Sequence, residues 1–118
     1  MHNFKEMHIW KRSIKVAVDV YKVASLFPAD ERYGLMSQVK RSVVSIASNI
    51  AEGAGRNSDK EFNHFLGVAI GSSFELYTQL VISFELAMVA KEKIDPILDE
   101  LEQIQKMIRG FKETLNVK

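Results

Sequence analysis

Residues that could carry catalytic or metal chemistry are few in this chain of 118 residues. It has no cysteine and three histidines, which excludes disulfides, thiolate metal sites and cysteine nucleophiles. Glu61 and His64 have the E-x-x-H spacing of di-iron helical bundles. That site needs two such pairs and further carboxylates, and only one pair occurs. Because no nucleophile, base and orienting group can be assigned together, we predict no metal, no cofactor and no enzymatic activity.

Basic residues are the remaining candidates for a functional site. Lys and Arg number 16 and Asp and Glu 15, so the net charge of +1 excludes a uniformly basic nucleic-acid protein but allows a local patch. Residues 1–60 hold 10 basic and 6 acidic side chains, which favours this half for an anionic partner. The alternative for the same side chains is a solvated face. The candidate nucleic-acid contacts are Lys11, Arg12, Lys15, Lys40, Arg41, Arg56 and Lys60.

The segment from Glu52 to Arg56 reads Glu-Gly-Ala-Gly-Arg and precedes a predicted helix, whose first backbone amides attract anions. It lacks the Gly-Lys-Ser/Thr ending of a P-loop and follows a helix, so it does not predict a nucleotide site. The two interpretations left open are an ordinary turn and a single phosphate contact through Arg56.

Periodic apolar residues predict the four helices that would position these side chains. The first ends near Pro28, and a strand is its competing interpretation because Val16, Val18 and Val20 alternate. Its predicted buried stripe is Met7, Trp10, Ile14, Ala17, Tyr21 and Ala24. The second helix runs from about Glu31 to Ala51 and is stopped by Gly53 and Gly55, for which we expect the left-handed conformation. Its predicted stripe is Leu35, Val39, Val43, Ile46 and Ile50.

The third and fourth helices have recognisable starts. Ser58 and Glu61 form a capping box for the third helix, which we expect to run to about Ala90. Asp95 is the predicted N-cap of the fourth helix, with Pro96 as its first residue. The apolar stripe of the fourth helix is Ile94, Ile97, Leu101, Ile104, Ile108, Phe111 and Leu115.

The third helix is too apolar for a bundle member that keeps one face in water. Between Phe65 and Ala90 only Glu75 and Glu85 are charged, which indicates burial on nearly all sides. A membrane span is the alternative, but charges at bilayer depth cost about 2.5 kcal/mol or more each. We therefore predict a homo-oligomer that covers this helix and no membrane insertion.

Glu75 needs polar partners, because buried carboxylates must be compensated. The second helix carries a polar stripe that can supply them through Gln38, Arg41, Ser45 or Asn49. A structural polar cluster that fixes the helix register is a better interpretation of these residues than general-acid chemistry.

The run from Leu35 to Gly53 resembles the bacterial four helix bundle protein family, named after proteins encoded by intervening sequences in large-subunit ribosomal RNA genes. The family motif reads roughly Q-x-x-R-[SA]-x-x-S-I-x-x-N-I-A-E-G. The matching residues are Gln38, Arg41, Ser42, Ser45, Ile46, Asn49, Ile50, Ala51, Glu52 and Gly53. A second block, F-x-x-F-L-x-x-A-x-G-S-x-x-E-L, is matched by Phe62, Phe65, Leu66, Ala69, Gly71, Ser72, Glu75 and Leu76.

The resemblance implies an up-down bundle that assembles into a ring, a pentamer, without enzymatic activity. The family is similar to the accessory protein of diversity-generating retroelements, a basic pentamer that binds nucleic acid and a reverse transcriptase. In this setting Glu52 joins Asn49 and Glu75 as an architectural polar residue between helices two and three.

Residues 1–118 are thus expected to form one all-α domain, an antiparallel up-down four-helix bundle that assembles into a homo-oligomeric ring. We expect it to bind structured RNA or DNA, alone or beside a protein partner. The alternative is an adaptor ring that binds protein only. No export or anchoring signal is visible near the N-terminus, so we expect a cytoplasmic protein.

Overall fold

Four long helices account for most of residues 2–117, the part of the chain that the computed structural model describes. They are α1 (His8–Ala24), α2 (Leu35–Ala54), α3 (Asp59–Glu85) and α4 (Lys91–Glu113). Short 3₁₀-helices precede α1 and α2, at Phe4–Glu6 and Ala29–Glu31. No strand occurs within residues 2–117, which confirms the all-α prediction.

Each helix packs against two neighbours, as in an up-down four-helix bundle. α1 and α3 both contact α2 and α4, and the α2–α3 contact is the most extensive. α1 and α3 therefore occupy diagonal corners of the bundle. One apolar core lies between the four helices, and its largest fully buried side chains include Phe62, Ile46, Ile50, Leu76, Leu101 and Ile104. Burial of each such side chain stabilises the fold by about 1.5–3 kcal/mol.

The buried side of α1 differs from the predicted stripe. Ile14 and Tyr21, which the prediction placed in the core, are 41% and 46% exposed. The fully buried residues of α1 are Ile9, Ser13, Val16, Val20, Val23 and Ala24, of which the prediction included Ala24. Ser13 is tolerated there because its hydroxyl donates to the Ile9 carbonyl at 2.7 Å. The predicted stripe is wrong at Ile14 and Tyr21 only. Of its other members, Ala24 is buried, and Met7, Trp10 and Ala17 are half-buried and pack against the core.

The predicted apolar stripe of α2 is confirmed, since Leu35 is half-buried and the other four members are buried. The glycines at its end do not adopt the predicted conformation: Gly55 has φ −83°, and no glycine within residues 2–117 has positive φ. Gly53 is needed for a close helix contact instead. A Cβ atom there would lie 2.7 Å from Phe65 Cβ and 2.8 Å from Phe62 Cδ1.

The start of α3 is capped as predicted. The Ser58 hydroxyl oxygen accepts a hydrogen bond from the Glu61 backbone amide at 3.2 Å. The Glu61 carboxylate folds back and accepts from the Ser58 hydroxyl, also at 3.2 Å. The pair satisfies the Glu61 amide of the first turn, and Glu61 reaches back to the Ser58 hydroxyl rather than to the Ser58 amide of a full capping box.

The end of α3 lies at Glu85 rather than near Ala90. Ala87 has φ 59°, and its amide donates to the Phe84 carbonyl at 2.8 Å. The next amide, of Met88, donates to the Ser83 carbonyl at 3.0 Å. These two bonds form a Schellman motif, which ends the helix without a glycine.

α4 begins at Lys91, about one turn before the predicted start at Asp95 and Pro96. Pro96 consequently lies inside the helix, where it lacks the amide that would bond to the Glu92 carbonyl. The earlier start brings Ile94, only 1% exposed, into the core. The predicted stripe of α4 is otherwise confirmed, with Phe111 half-buried and the other members buried.

α3 is the one helix within residues 2–117 that is long and apolar enough to cross a membrane. Its inner side belongs to the bundle core, because Phe62, Leu66, Leu76 and Leu80 are at most 1% exposed. Its outer side leaves Val68, Phe74 and Ile82 40–44% exposed, so a single chain does not bury this helix on nearly all sides.

Candidate nucleic-acid interface

Arg12, a predicted nucleic-acid contact on α1, is bound to a carboxylate of the neighbouring α4. Its guanidinium donates to both oxygens of Glu100, with Nε 2.7 Å from Oε2. This hydrogen bond raises the pKa of Arg12 against the opposing effect of burial. A phosphate would have to displace Glu100 to bind Arg12, so this residue holds α1 and α4 together.

Two more predicted contacts lie beside carboxylates on their own helix or loop. Lys15 Nζ is 3.4 Å from Asp19 Oδ2, and Arg56 Nη2 is 3.7 Å from Glu52 Oε1. Arg56 also lies over the Phe65 ring, with its Cζ 4.7 Å from the ring centroid. Both ion pairs are exposed and weak, but they reduce the local positive charge.

The other four predicted contacts form no ion pair within residues 2–117. Lys11, Arg41 and Lys60 are exposed. Lys40 is half-buried, and its Nζ lies 5.1 Å from the centroid of the Tyr21 ring. These side chains are the free cations of the predicted set.

The seven predicted residues do not form one surface on a single chain. Lys11, Arg12 and Lys15 lie along α1, and Lys40 and Arg41 lie in the second turn of α2. Arg56 and Lys60 lie where α2 meets α3, at the other end of a bundle 46 Å long. At 1.5 Å per helical residue, about 24 Å separates Lys40 from Arg56.

A groove in the connection from α1 to α2 brings the predicted contact Lys40 together with an arginine and a tyrosine that the sequence analysis did not predict as contacts. Its volume is about 590 Å³, and Arg32, Tyr33 and Lys40 line it. Tyr33 is 90% exposed, and Arg32 is exposed beside it. The sequence feature that indicates this surface is an aromatic residue next to an arginine, in a segment that contains no predicted core position. We call these three residues the Arg32–Tyr33–Lys40 surface.

A polar cluster joins α2 to α3. Glu75 is exposed rather than buried, and its hydrogen-bond partner is Ser42, which was not among the four predicted partners. The Ser42 hydroxyl lies 2.7 Å from Glu75 Oε1 and 3.0 Å from Gln79 Oε1, so its single proton is shared between two acceptors. Because the hydroxyl crosses between the helices, the contact fixes the register of α3 on α2.

A second part of the polar cluster lies one turn away. Asn49 Nδ2 donates to the Ser45 carbonyl at 2.8 Å and to the Ser45 hydroxyl oxygen at 2.9 Å. The Ser45 hydroxyl, 2.8 Å from Ser72 Oγ, is thereby oriented to donate to Ser72. This chain of bonds needs no charged group.

Two predicted members lie outside the polar cluster. Gln38 is exposed, and the Glu52 carboxylate pairs with Arg56. The cluster instead includes Ser42, Ser72 and Gln79, which the prediction did not list as site residues. Their signal was present, because each lies three or four residues from a predicted member on the same helix face.

No group of three or more potential ligands for a metal ion occurs within residues 2–117. Glu61 of the E-x-x-H pair caps α3, and His64 stacks edge-on against Phe65 at 5.4 Å between ring centroids.

Two basic residues of α4 contact α3. Lys112 Nζ donates to the Asn63 carbonyl at 2.8 Å, and burial lowers the Lys112 pKa. Arg109 lies over the Phe74 ring, 5.5 Å from its centroid.

Comparison with known proteins gives a family and a fold. Residues 5–110 match the family described as 23S rRNA-intervening sequence protein. No curated protein matches the chain. A crystal structure of a protein with unknown function, from the S23 ribosomal protein family of Bacteroides thetaiotaomicron VPI-5482, is similar with a TM-score of 0.81. The similarity covers 90% of this chain and 99% of that chain at 21% identity, so it shows the fold alone.

Proposed function

The chain belongs to the 23S rRNA-intervening sequence protein family, and we propose that it is a non-enzymatic, oligomeric helical bundle that binds structured RNA or DNA in the cytoplasm. The family match agrees with the resemblance found in the sequence motifs. The observation that carries the proposal is the Arg32–Tyr33–Lys40 surface, where two cations that form no ion pair within residues 2–117 line the same groove as a nearly fully exposed aromatic ring.

The chemistry of this surface suits a nucleic acid with unpaired bases. Arg32 and Lys40 neutralise backbone phosphates and release condensed counterions. Tyr33 offers a face on which a base can stack, a contact that contributes about 1–3 kcal/mol. Phosphate contacts give affinity and position but little sequence selectivity, so loops and bulges in a folded RNA are the favoured targets.

Assembly would multiply a surface that is modest in one chain. The exposed apolar side of α3 supports a homo-oligomer, and the family resemblance implies a ring of five. In a ring the Arg32–Tyr33–Lys40 surface recurs at regular intervals. Several weak contacts then act on one nucleic-acid molecule at high effective concentration.

Among the originally predicted contacts, the free cations extend this surface better than the paired ones. Lys40 belongs to it, and Arg41 follows on the outer side of α2. Lys11 and Lys60 lie farther away and contribute long-range attraction. Arg12, Lys15 and Arg56 contribute less, because Glu100, Asp19 and Glu52 already compensate their charge.

The test compares two double variants with equal loss of positive charge. Arg32→Gln/Lys40→Gln alters the Arg32–Tyr33–Lys40 surface, and Lys93→Gln/Lys106→Gln alters exposed positions on α4. Fluorescence anisotropy with a labelled RNA hairpin that has an unpaired loop measures affinity at about 50 mM and about 200 mM salt. We expect the first variant to lose at least about tenfold in affinity and about two units of salt slope per bound subunit.

The control variant should stay within about threefold of the unmodified protein, because distant charges act only through the screened field. Equal losses in the two variants would contradict a defined surface. Absence of salt-sensitive binding to both the hairpin and duplex DNA would contradict nucleic-acid binding altogether.

An adaptor ring that binds only protein is the second candidate function. It is favoured by the carboxylates that compensate three of the seven predicted cations and by apolar residues exposed on α1 and α3. This candidate predicts assembly without nucleic-acid affinity. Light scattering together with the anisotropy measurement distinguishes the two.

A further inference from the structure

Two apolar surfaces of the bundle have no partner within the described chain. The first, the α1 face, consists of Ile14, Val18 and Tyr21, which recur at steps of four and three on the outer side of α1. The second, the α3 face, is centred on Val68, Gly71, Phe74, Glu75, Thr78 and Ile82. Contiguous exposed apolar surface of this kind marks an interaction site.

The two faces lie on opposite corners of the bundle. α1 and α3 share no packing contact within residues 2–117, because each packs only against α2 and α4. A single flat contact therefore cannot cover both faces of the same copy. Each face needs its own occupant.

The faces also differ in charge. Lys11, Lys15 and Lys22 are exposed beside the α1 face, with Asp19 as the acidic residue among them. The only charged residues of α3 between Phe62 and Glu85 are Glu75 and Glu85 themselves, both exposed. Glu75 belongs to the α3 face, and one of its carboxylate oxygens accepts from Ser42 of α2. Two cations of α4 lie at the other edge of that face, Arg109 over Phe74 and Lys112 beside Gly67.

We infer that the α1 face of one copy docks on the α3 face of the next copy, with the lysines of α1 beside the glutamates of α3. Two α3 faces in contact would place glutamates against each other, and two α1 faces would do the same with lysines, which disfavours both symmetric pairings. A contact between different faces is heterologous and continues from copy to copy until the ring closes. This inference rests on the assembly in the proposed function.

The inference also accounts for Gly71. It lies in the α3 face, and an added Cβ there would meet no described atom within 4 Å. The chain itself therefore leaves room above Gly71, and a neighbouring helix can approach the α3 backbone at that point. Gly71 supports the proposal only together with the exposed apolar residues and the charge pattern.

Two double variants test the heterologous contact. Ile14→Glu/Val18→Glu alters the α1 face, and Val68→Glu/Ile82→Glu alters the α3 face. Light scattering on purified protein without nucleic acid should give the mass of one chain for each variant alone. An equal mixture should give the mass of two chains, because the mixture contains one intact α1 face and one intact α3 face that can pair.

Val44→Glu is the matched control, since Val44 is an exposed apolar residue of α2 outside both faces, and it should keep the mass of the unmodified assembly. Circular dichroism verifies folding, and Val18→Glu and Ile82→Glu alone serve as milder versions. If the α1 variant keeps the full assembly, or the mixture stays monomeric, the inference is overturned while assembly stands. If the unmodified chain is itself monomeric, the proposed assembly fails as well.

Discussion

Replacement of Gly53 by alanine should destabilise the bundle, whereas the same replacement at Gly110 should stabilise it. Both glycines lie in helices, Gly53 near the end of α2 and Gly110 near the end of α4. The added methyl group is identical in the two variants. The difference between them therefore measures the space that surrounds each position.

The structure predicts a loss of stability for the change at Gly53 and a gain for the change at Gly110. At Gly53 the new Cβ would lie 2.7 Å from Phe65 Cβ, 2.8 Å from Phe62 Cδ1 and 3.3 Å from the Phe62 carbonyl oxygen. Phe65 Cβ is fixed to the α3 backbone, and Phe62 is only 1% exposed, so relief requires movement of the helices. At Gly110 no described atom lies within 4 Å of the new Cβ.

These contacts set the expected size of each effect. A glycine-to-alanine change inside a helix gains about 0.5–1 kcal/mol in the free energy of unfolding. Overpacking of a filled site costs about 1–3 kcal/mol. We expect Gly53→Ala to lose about 1–2 kcal/mol and Gly110→Ala to gain about 0.5–1 kcal/mol. In a domain of this size each kcal/mol corresponds to about 4 °C in Tm.

Thermal unfolding followed by circular dichroism provides the assay. All variants must be compared at one protein concentration, because assembly makes Tm depend on concentration. Urea unfolding gives an independent free energy and an m value that reports on the native fold. A Gly53→Ala protein as stable as the unmodified one, with an unchanged m value, would refute the close-packing argument.

Two further changes concern the α2–α3 cluster and the end of α3. Ser42→Ala should cost about 1–2 kcal/mol in urea unfolding, because the buried Gln79 Oε1 and the Glu75 carboxylate lose their donor. Ser48→Ala, on the exposed side of the same helix, should stay within about 0.5 kcal/mol, and equal effects would contradict a role for the cluster. Ala87→Gly should gain about 0.5–1 kcal/mol, since glycine adopts the φ of 59° without the steric penalty of a Cβ. A loss of Tm in that variant would show that Ala87 is not strained.

The sequence was sufficient to predict the buried side of those helices whose apolar residues follow a single period. α2 and α4 each have one apolar stripe, and the structure buries it. The prediction for α1 was wrong at Ile14 and Tyr21 because two apolar stripes share this helix. Which stripe is fully buried depends on what α2 and α4 present across the core. The predicted start of α4 was wrong because burial of Ile94 outweighs the preference of Pro96 for the first turn of a helix.

The candidate site was predictable only in part, because charge compensation depends on contacts between distant segments. Arg12 binds Glu100, which lies 88 residues away in the sequence, so the residues around Arg12 do not predict this contact. The α2–α3 cluster was easier, since Glu75 stood out as a charge in an apolar helix. Tyr33 was missed because exposure cannot be deduced from residue type when the residue lies in a connection.

The compact connection between α2 and α3 has a consequence for how the chain folds. Only four residues separate these helices, which also share the most extensive contact in the molecule. Closing so short a loop costs little entropy, so this hairpin can nucleate early, whereas α1 and α4 must be brought together from the two ends of the chain. The backbone amides of α2 and α3 should therefore exchange with deuterium most slowly, and the outer pair should open first in native-state fluctuations.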